Sequence, residues 1–392
     1  MSPSIYHIDF KVIICVDGVI WWRAQVAMDQ SVRHRRRRDG MKAGLKQQDE
    51  QPPRLAAMQD VRRILAIQVT RIGDTVLVTP SLRALATAFP EARIDVLGHP
   101  KRVEVLQHLP FLHRVAAISK KSAWWRGWGE VTYDLALVWG QDEALVRYAL
   151  RSARAVVACR QKTAALNDRL MAVVDLPPDH AISLAAWQLQ LLHLGLGLPA
   201  EAGPVEYTVS AAESDWARQY LRQHLPSTAT PVIGLTVATF HTMPHRDWPI
   251  DHFVRACLAL RAQFPAVQFL LIGADQVEAR AAILQQALGS SLHVPRHLRL
   301  RESAALLSQL DLYLGLDTGP SHLAAAIGIP MVALFHCLRR GHLVLSPRCP
   351  ENLIMIDHPC ATASCSTAVS MAAIAPEDVV AACCRQLQRS AS

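Results

Sequence analysis

From Arg63 onward, short apolar runs alternate with stretches of helical period. Ile64–Val69 has the length and composition of a buried strand. A glycine turn, a helix through Ser81–Ala88, a Phe89-Pro90 stop and a second strand at Arg93–Gly98 follow, which is the start of a βαβ unit. The spacing predicts further strands at Val115–Ser119, Asp134–Trp139 and Ala155–Cys159, then a helix from Ile182 to Leu194 that stops at Gly195-Leu196-Gly197. A second series begins at Pro231. It predicts strands Val232–Thr236, Gln268–Ile272, Leu312–Gly315, Val332–Phe335 and Leu353–Asp357, helices Phe253–Phe264, Val277–Leu288 and Ser303–Gln309, and a closing helix Pro376–Leu387 with Pro, Glu and Asp in its first turn. Strands alternating with helices in this way indicate an α/β protein with two Rossmann-like, doubly wound parallel sheets, whose ligands bind outside the carboxyl ends of the strands.

Domain limits follow the same pattern. Residues 1–57 lack sustained periodicity and hold five arginines within Arg33–Arg38. We expect them to be disordered or an upstream mis-called start, with one domain over 58–205 and a second over 206–392, the latter including the closing helix. A chain of 392 residues, 51% apolar and 19% charged, can bury two such cores, which rules out global disorder. The net charge of +8 is too diffuse outside the arginine block for a nucleic-acid groove. Nine cysteines without regular spacing point to free thiols in a reducing, cytoplasmic setting. Neither charge-free stretch, 180–200 or 318–338, reads as a membrane span, since Gly328-Ile329-Pro330 breaks one and two Gln and two His dilute the other.

Three segments carry chemistry. Between the first strand and its helix, Thr70-Arg71-Ile72-Gly73-Asp74 puts a carboxylate at a strand's carboxyl edge, where Asp74 is either a helix cap or a reacting group. In Asp317-Thr318-Gly319-Pro320-Ser321-His322 a strand runs directly into a small-residue helix. The free N–H groups of that helix start, with the Thr318 and Ser321 hydroxyls, suit a phosphate. The loop Thr236–Pro249 supplies His241, His245 and Arg246, donors suited to a diphosphate, although Arg246 beside Asp247 also reads as a surface ion pair. Cys349, His358, Cys360 and Cys365 fit no regular zinc spacing, so no metal is expected.

Together these segments resemble glycosyltransferase family nine, the ADP-heptose:lipopolysaccharide heptosyltransferases. The likeness extends from Val61 to Leu387 and is strongest over Arg71–Gly98 and Asp317–Phe335. It implies a GT-B fold, inverting transfer without metal or other cofactor, ADP-heptose as the nucleotide-sugar donor, and a lipid-linked core saccharide as acceptor. It also implies Asp74 as general base and Arg246 as the basic residue of a Lys/Arg-x-Trp-Pro element. Thr236, Asp317, Thr318, Gly319, Pro320, Ser321 and His322 then bind the donor, with Glu278 reaching its ribose. His336-Cys337-Leu338-Arg339-Arg340-Gly341 departs from the family pattern after Phe335, which bears on donor identity. A sugar-nucleotide epimerase of the same architecture and a silent nucleotide-sugar binder are the alternatives. Lys120, Lys121 and Arg126 interleaved with Trp124, Trp125 and Trp128 suggest peripheral contact with the inner face of the cytoplasmic membrane, the alternative being that these tryptophans are packed.

Overall fold

The computed structural model describes residues 60–391 apart from 127, 128, 130, 179–181, 202, 274–276 and 361–364. The expectation for residues 1–57 lies outside them. The first lobe is a six-stranded parallel sheet of β1 (Arg63–Gln68), β2 (Arg93–Gly98), β3 (Arg114–Ala117), β4 (Tyr133–Val138), β5 (Ala153–Cys159) and β6 (Ala172–Val174), in the order β3-β2-β1-β4-β5-β6. Around it run α1 (Ile72–Leu77), α2 (Thr79–Ala88), α3 (Lys120–Trp125), α4 (Glu143–Ser152), α5 (Ala164–Asn167) and α6 (Leu184–Leu196). Gly197, at φ 74°, ends α6 in the left-handed conformation that an L side chain resists.

After α7 (Ala211–His224) the second lobe repeats the plan. Its parallel strands are β7 (Val232–Leu235), β8 (Gln268–Leu271), β9 (Leu292–His293), β10 (Leu312–Leu316), β11 (Met331–Phe335) and β12 (Leu353–Asp357), ordered β12-β11-β10-β7-β8-β9. Its helices are α8 (Ile250–Gln263), α9 (Glu278–Leu288), α10 (Leu300–Leu307), α11 (Gly319–Ile327), α12 (Gly341–Val344) and α13 (Pro376–Ala391). The central strands β1, β4, β7 and β10 are almost wholly buried, as two-sided cover requires, and their residues read as continuous apolar runs.

In both sheets the winding reverses beside the lobe's first strand, between β1 and β4 and between β7 and β10. The carboxyl ends at those two points open a crevice, and the Asp74, Thr236 and Asp317 segments leave from them. The charge-free stretch 318–338 resolves into α11, a turn at Gly328 and β11, and among the described residues no helix is long and apolar enough to cross a membrane.

The lobes are joined by packing as well as by the chain. Arg301 on α10 donates to Glu104 O of the first lobe (2.9 Å), to Thr208 O in the connection (2.7 Å) and to Glu213 on α7 (2.8 Å). Hydrogen bonds from Arg301 hold the Glu213 carboxyl down at about 2, from an ordinary value of 4.5. A depressed carboxylate stabilises the folded form above its unfolded value and loses that contribution as pH falls through the folded one. Between pH 4.5 and about 2 the thermal midpoint should therefore fall further in the wild type than in Glu213→Gln. Equal falls in the two proteins refute the clamp.

Candidate active site

Three cavities run in line between the lobes. The first, of about 290 Å³, lies on the second lobe between the β7 and β10 ends and α10, with Thr236, Thr318, Gly319 and Pro320 on its polar side and Val277, Leu298, Leu300 and Leu307 on its apolar side. The second, of about 110 Å³, is a charged constriction between Asp74 of the first lobe and Arg246, Asp317 and His322 of the second. The third, of about 550 Å³, opens on the first lobe between Asp74, Trp139, Trp187 and Gln188, with Arg339 reaching in from the second. Ile72, Phe240, Thr318 and Gly319 belong to the first two cavities, and Asp74, Leu184 and Arg339 to the last two, so the groove is continuous.

Asp74 stands in the first turn of α1, where the N-cap Arg71 makes no side-chain cap. Its Oδ2 accepts from Thr70 Oγ1 at 2.8 Å, and Gln188 Nε2 donates to its backbone carbonyl at 3.4 Å. Gln188 also accepts from Gln68 Nε2 through its side chain (3.1 Å) and from Trp139 Nε1 through its carbonyl (2.8 Å). Asp74 is thus held by a polar network on the inner face of α6. Sequence reading missed Gln188, although a glutamine inside an apolar helix demands buried partners and was the signal available.

Arg246 does not pair with Asp247. Its Nη1 donates to Asp317 Oδ2 at 2.7 Å, while Asp247 accepts from Arg280 (2.8 Å) and from Thr239 N and Oγ1 (both 2.7 Å), a bracing of the β7 loop that the sequence did not reveal. Side-chain exposures of 15% and 9% make the Arg246–Asp317 pair a buried one. His322 Nε2 lies 3.9 Å from Asp317 Oδ1, and burial lowers the imidazole's pKa against the opposing pull of Asp317 and Asp74. Arg246 Nε and His322 Nδ1 are both buried without a hydrogen-bond partner. Orphaned polar atoms in a dry interior cost free energy that a bound polar ligand relieves.

The helix starts of α1 and α11 abut, which explains both motif glycines. A Cβ on Gly73 would sit 2.6 Å from His322 Cδ2, and one on Gly319 would sit 3.3 Å from Ile72 Cβ. Gly73→Ala must therefore push His322 and the lobe contact apart. A loss in kcat of about 10²-fold is expected, the scale of a 1 Å misplacement, with a smaller loss for Gly319→Ala. Steady-state kinetics on the two variants check this order, and full activity in Gly73→Ala refutes it.

Three expectations are corrected. The Ser321 hydroxyl does not face a ligand: it is fully buried, donates to Leu316 O and meets Tyr313 OH at 3.0 Å, because the helix start needs a link back to its own strand. Thr318 Oγ1 also bonds to Leu316 O, at 3.3 Å, which leaves the backbone N–H groups as the donors of the α11 start. Nor are all the cysteines free thiols, since Cys337 and Cys365 are joined in a disulfide. They lie in the loops that follow β11 and β12, parallel neighbours whose carboxyl ends share an edge, so no sequence spacing announces the pair. Glu278 is not brought to the cleft with the other residues: its side chain is 79% exposed and lies 3.3 Å from Arg296.

Two facing sheets with a continuous groove across both switch points define a two-lobed α/β class that takes its ligands between the lobes, and the sequence comparison gives the family. The profile of glycosyltransferase family 9 (heptosyltransferase) matches residues 125–344, and the chain belongs to that family. It is 23% identical over 280 residues to lipopolysaccharide heptosyltransferase 3 of Escherichia coli strain K12, covering 67% of this chain and 79% of that one. Two solved structures share its fold. A family 9 glycosyltransferase from Veillonella parvula has a TM-score of 0.72 at 15% identity over 84% of this chain and 98% of its own. The ADP-heptose heptosyltransferase II of E. coli has a TM-score of 0.70 at 19% identity over 84% and 100%.

Proposed function

We propose that the protein transfers heptose from ADP-heptose to a hydroxyl of a lipopolysaccharide core saccharide, by a single inverting displacement that uses no metal at the reacting centre. The observation that carries this reading is the position of Asp74 in the constriction between two larger cavities, facing Arg246 and the α11 start. The apolar half of the first cavity takes the base and its polar half the diphosphate. Asp74 accepts the proton of the attacking hydroxyl in the third cavity. The bond to the diphosphate oxygen breaks on the opposite face, where Arg246, positioned by Asp317, and the amino end of α11 meet the developing charge. The names of the relatives support the choice of sugar and acceptor. Calorimetry against ADP-, UDP- and GDP-sugars tests it: saturable binding confined to the ADP compounds is expected, and a preference for another base overturns the donor assignment.

The acceptor reading extends to a lipid surface. Trp124 and Trp125 on α3, beyond the carboxyl end of β3, are 78% and 64% exposed, which supports contact over packing. Lys120 lies 2.7 Å from Asp142, and Arg126 donates to Ala117 O, so these two cations are partly held by the protein itself. Lys121 beside the two rings is then the main attraction to an anionic surface. Trp128 lies outside the described residues. Co-sedimentation should show wild type binding anionic liposomes and a Trp124→Ala/Trp125→Ala/Lys121→Glu variant left in solution. Equal behaviour of the two refutes the contact.

A further inference from the structure

The histidines and cysteines at the carboxyl ends of β11 and β12 line none of the three cavities of the groove, yet they converge. The ligating atoms of His336, Cys337 and Cys365 lie within 4.8 Å of one another, and so do those of Cys337, His358 and Cys360. His336, Cys337 and His358 are 2%, 1% and 2% exposed. Both imidazoles are oriented alike. Nε2 of His336 lies 3.0 Å from Val369 O and Nε2 of His358 lies 3.0 Å from Ser370 O, so each donates its Nε2–H to a main-chain carbonyl. Each Nδ1 in turn accepts a backbone N–H, from Leu338 at 3.2 Å and from Cys360 at 3.0 Å, which fixes the tautomer with its lone pair on the thiol side. His336 Nδ1 is 3.8 Å from Cys337 Sγ. A buried imidazole anchored through one nitrogen, with the other turned to thiols, is the arrangement of a metal ligand and its outer support.

We propose that the reduced chain binds one divalent transition-metal ion, zinc or iron, through the thiolates of Cys337, Cys360 and Cys365 and Nδ1 of His336 or His358. The two groups share Cys337, and soft thiolates with imidazole select these ions over magnesium or calcium. The ion replaces one backbone bond to the ligating Nδ1. The disulfide between Cys337 and Cys365 and the ion exclude each other. A small thiol reductant, two molecules per disulfide, is oxidised to its own disulfide and leaves two protein thiols, which lose their protons on binding the ion.

The site ties the two loops together at the root of the segment that carries Arg339 into the groove. Arg340 already donates across the same junction, to His358 O at 3.2 Å and Cys360 O at 3.1 Å. The ligands come from both loops, with His336 and Cys337 following β11. Spacing within 349–365 alone therefore could not show the site.

The test is the metal content of the full chain, purified with a thiol reductant, without chelator and without a metal-affinity column, from zinc- and iron-supplemented cells. Plasma mass spectrometry should find about one equivalent of zinc plus iron per chain, and its ratio names the ion. Cys360→Ser should reduce this to about a tenth or less, and Cys349→Ser, outside the cluster, should leave it unchanged. Cys360 is not part of the disulfide, so a metal content indifferent to Cys360→Ser overturns the site. Wild-type protein that carries less than about a tenth of an equivalent also overturns it. A second reading does not depend on how the variants fold: cobalt added to the reduced wild type should give thiolate-to-cobalt charge transfer and tetrahedral d–d bands, and the absence of both defeats the proposal.

Discussion

Asp74→Asn is expected to lower kcat by about 10²–10⁴-fold, the contribution of a positioned general base, while the affinity for an ADP-sugar stays within a small factor of wild type. The separation of the two effects follows from the cavities. Asp74 lines the constriction and the first-lobe cavity but not the second-lobe cavity beside β7 and β10, to which the proposed reaction assigns the nucleotide. Asparagine keeps the volume and can still accept from Thr70 Oγ1, so the network through Gln188 should survive and the melting temperature should move little. Loss of a carboxylate from the first turn of α1 costs about 0.3–1 kcal/mol at most. Single-turnover rates with calorimetry on the same preparation decide the matter. A variant that folds, binds the donor and reacts at the wild-type rate removes Asp74 from the chemistry and leaves it as a helix-start carboxylate.

Arg246→Ala should act on both rate and stability. In the proposed reaction the guanidinium meets the leaving diphosphate, and removing such a donor costs about 10²–10³-fold in kcat. It also strands Asp317, whose side chain is 9% exposed, without its partner at 2.7 Å. An unpaired buried charge of this kind destabilises by about 3–5 kcal/mol. The double variant Arg246→Ala/Asp317→Asn separates the two effects, since it removes the stranded charge without restoring the donor. Stability should recover in the double variant and kcat should not. If both recover, Arg246 matters only as a partner for Asp317. Arg246→Lys should fall between, because an ammonium presents a point charge where the guanidinium can hold Asp317 with one nitrogen and a phosphate oxygen with another.

Much of this could be read along the chain. β2 and β12 fall where the sequence places them, and β1, β7, β10 and β11 shift by a residue or so at their ends. These strands are continuous apolar runs bounded by turn residues, a pattern set by neighbours in sequence. The shorter elements escaped: β6 and β9 are three and two residues long, and α3, α5 and α12 no more than six, too short to establish a period. α4 and α7 are long enough to have been read and were not, although Asp142 and Ser210 cap them as helix starts should be capped. Of the site, Asp74, Thr236, Arg246, Asp317, Thr318, Gly319, Pro320 and His322 converge on the groove as expected, whereas Ser321 turns back to its strand and Glu278 points to solvent.

The sequence by itself determined the alternation of strand and helix, and with it the two doubly wound sheets, since hydrophobic period and turn chemistry act over a few residues. It also determined the family through two long motifs, and the glycines that let backbones approach closely. Only the tertiary structure decided which groups those motifs meet. Arg246 takes Asp317, 71 residues away, rather than its neighbour Asp247. Gly73 makes room for a histidine of the other lobe, Gln188 braces Asp74 from 114 residues away, and Cys337 finds Cys365, His358 and Cys360 across a strand edge. Each of these contacts depends on sheet order and on how the lobes dock, and the free energy that selects them is spread over the buried core rather than written at the residues that touch.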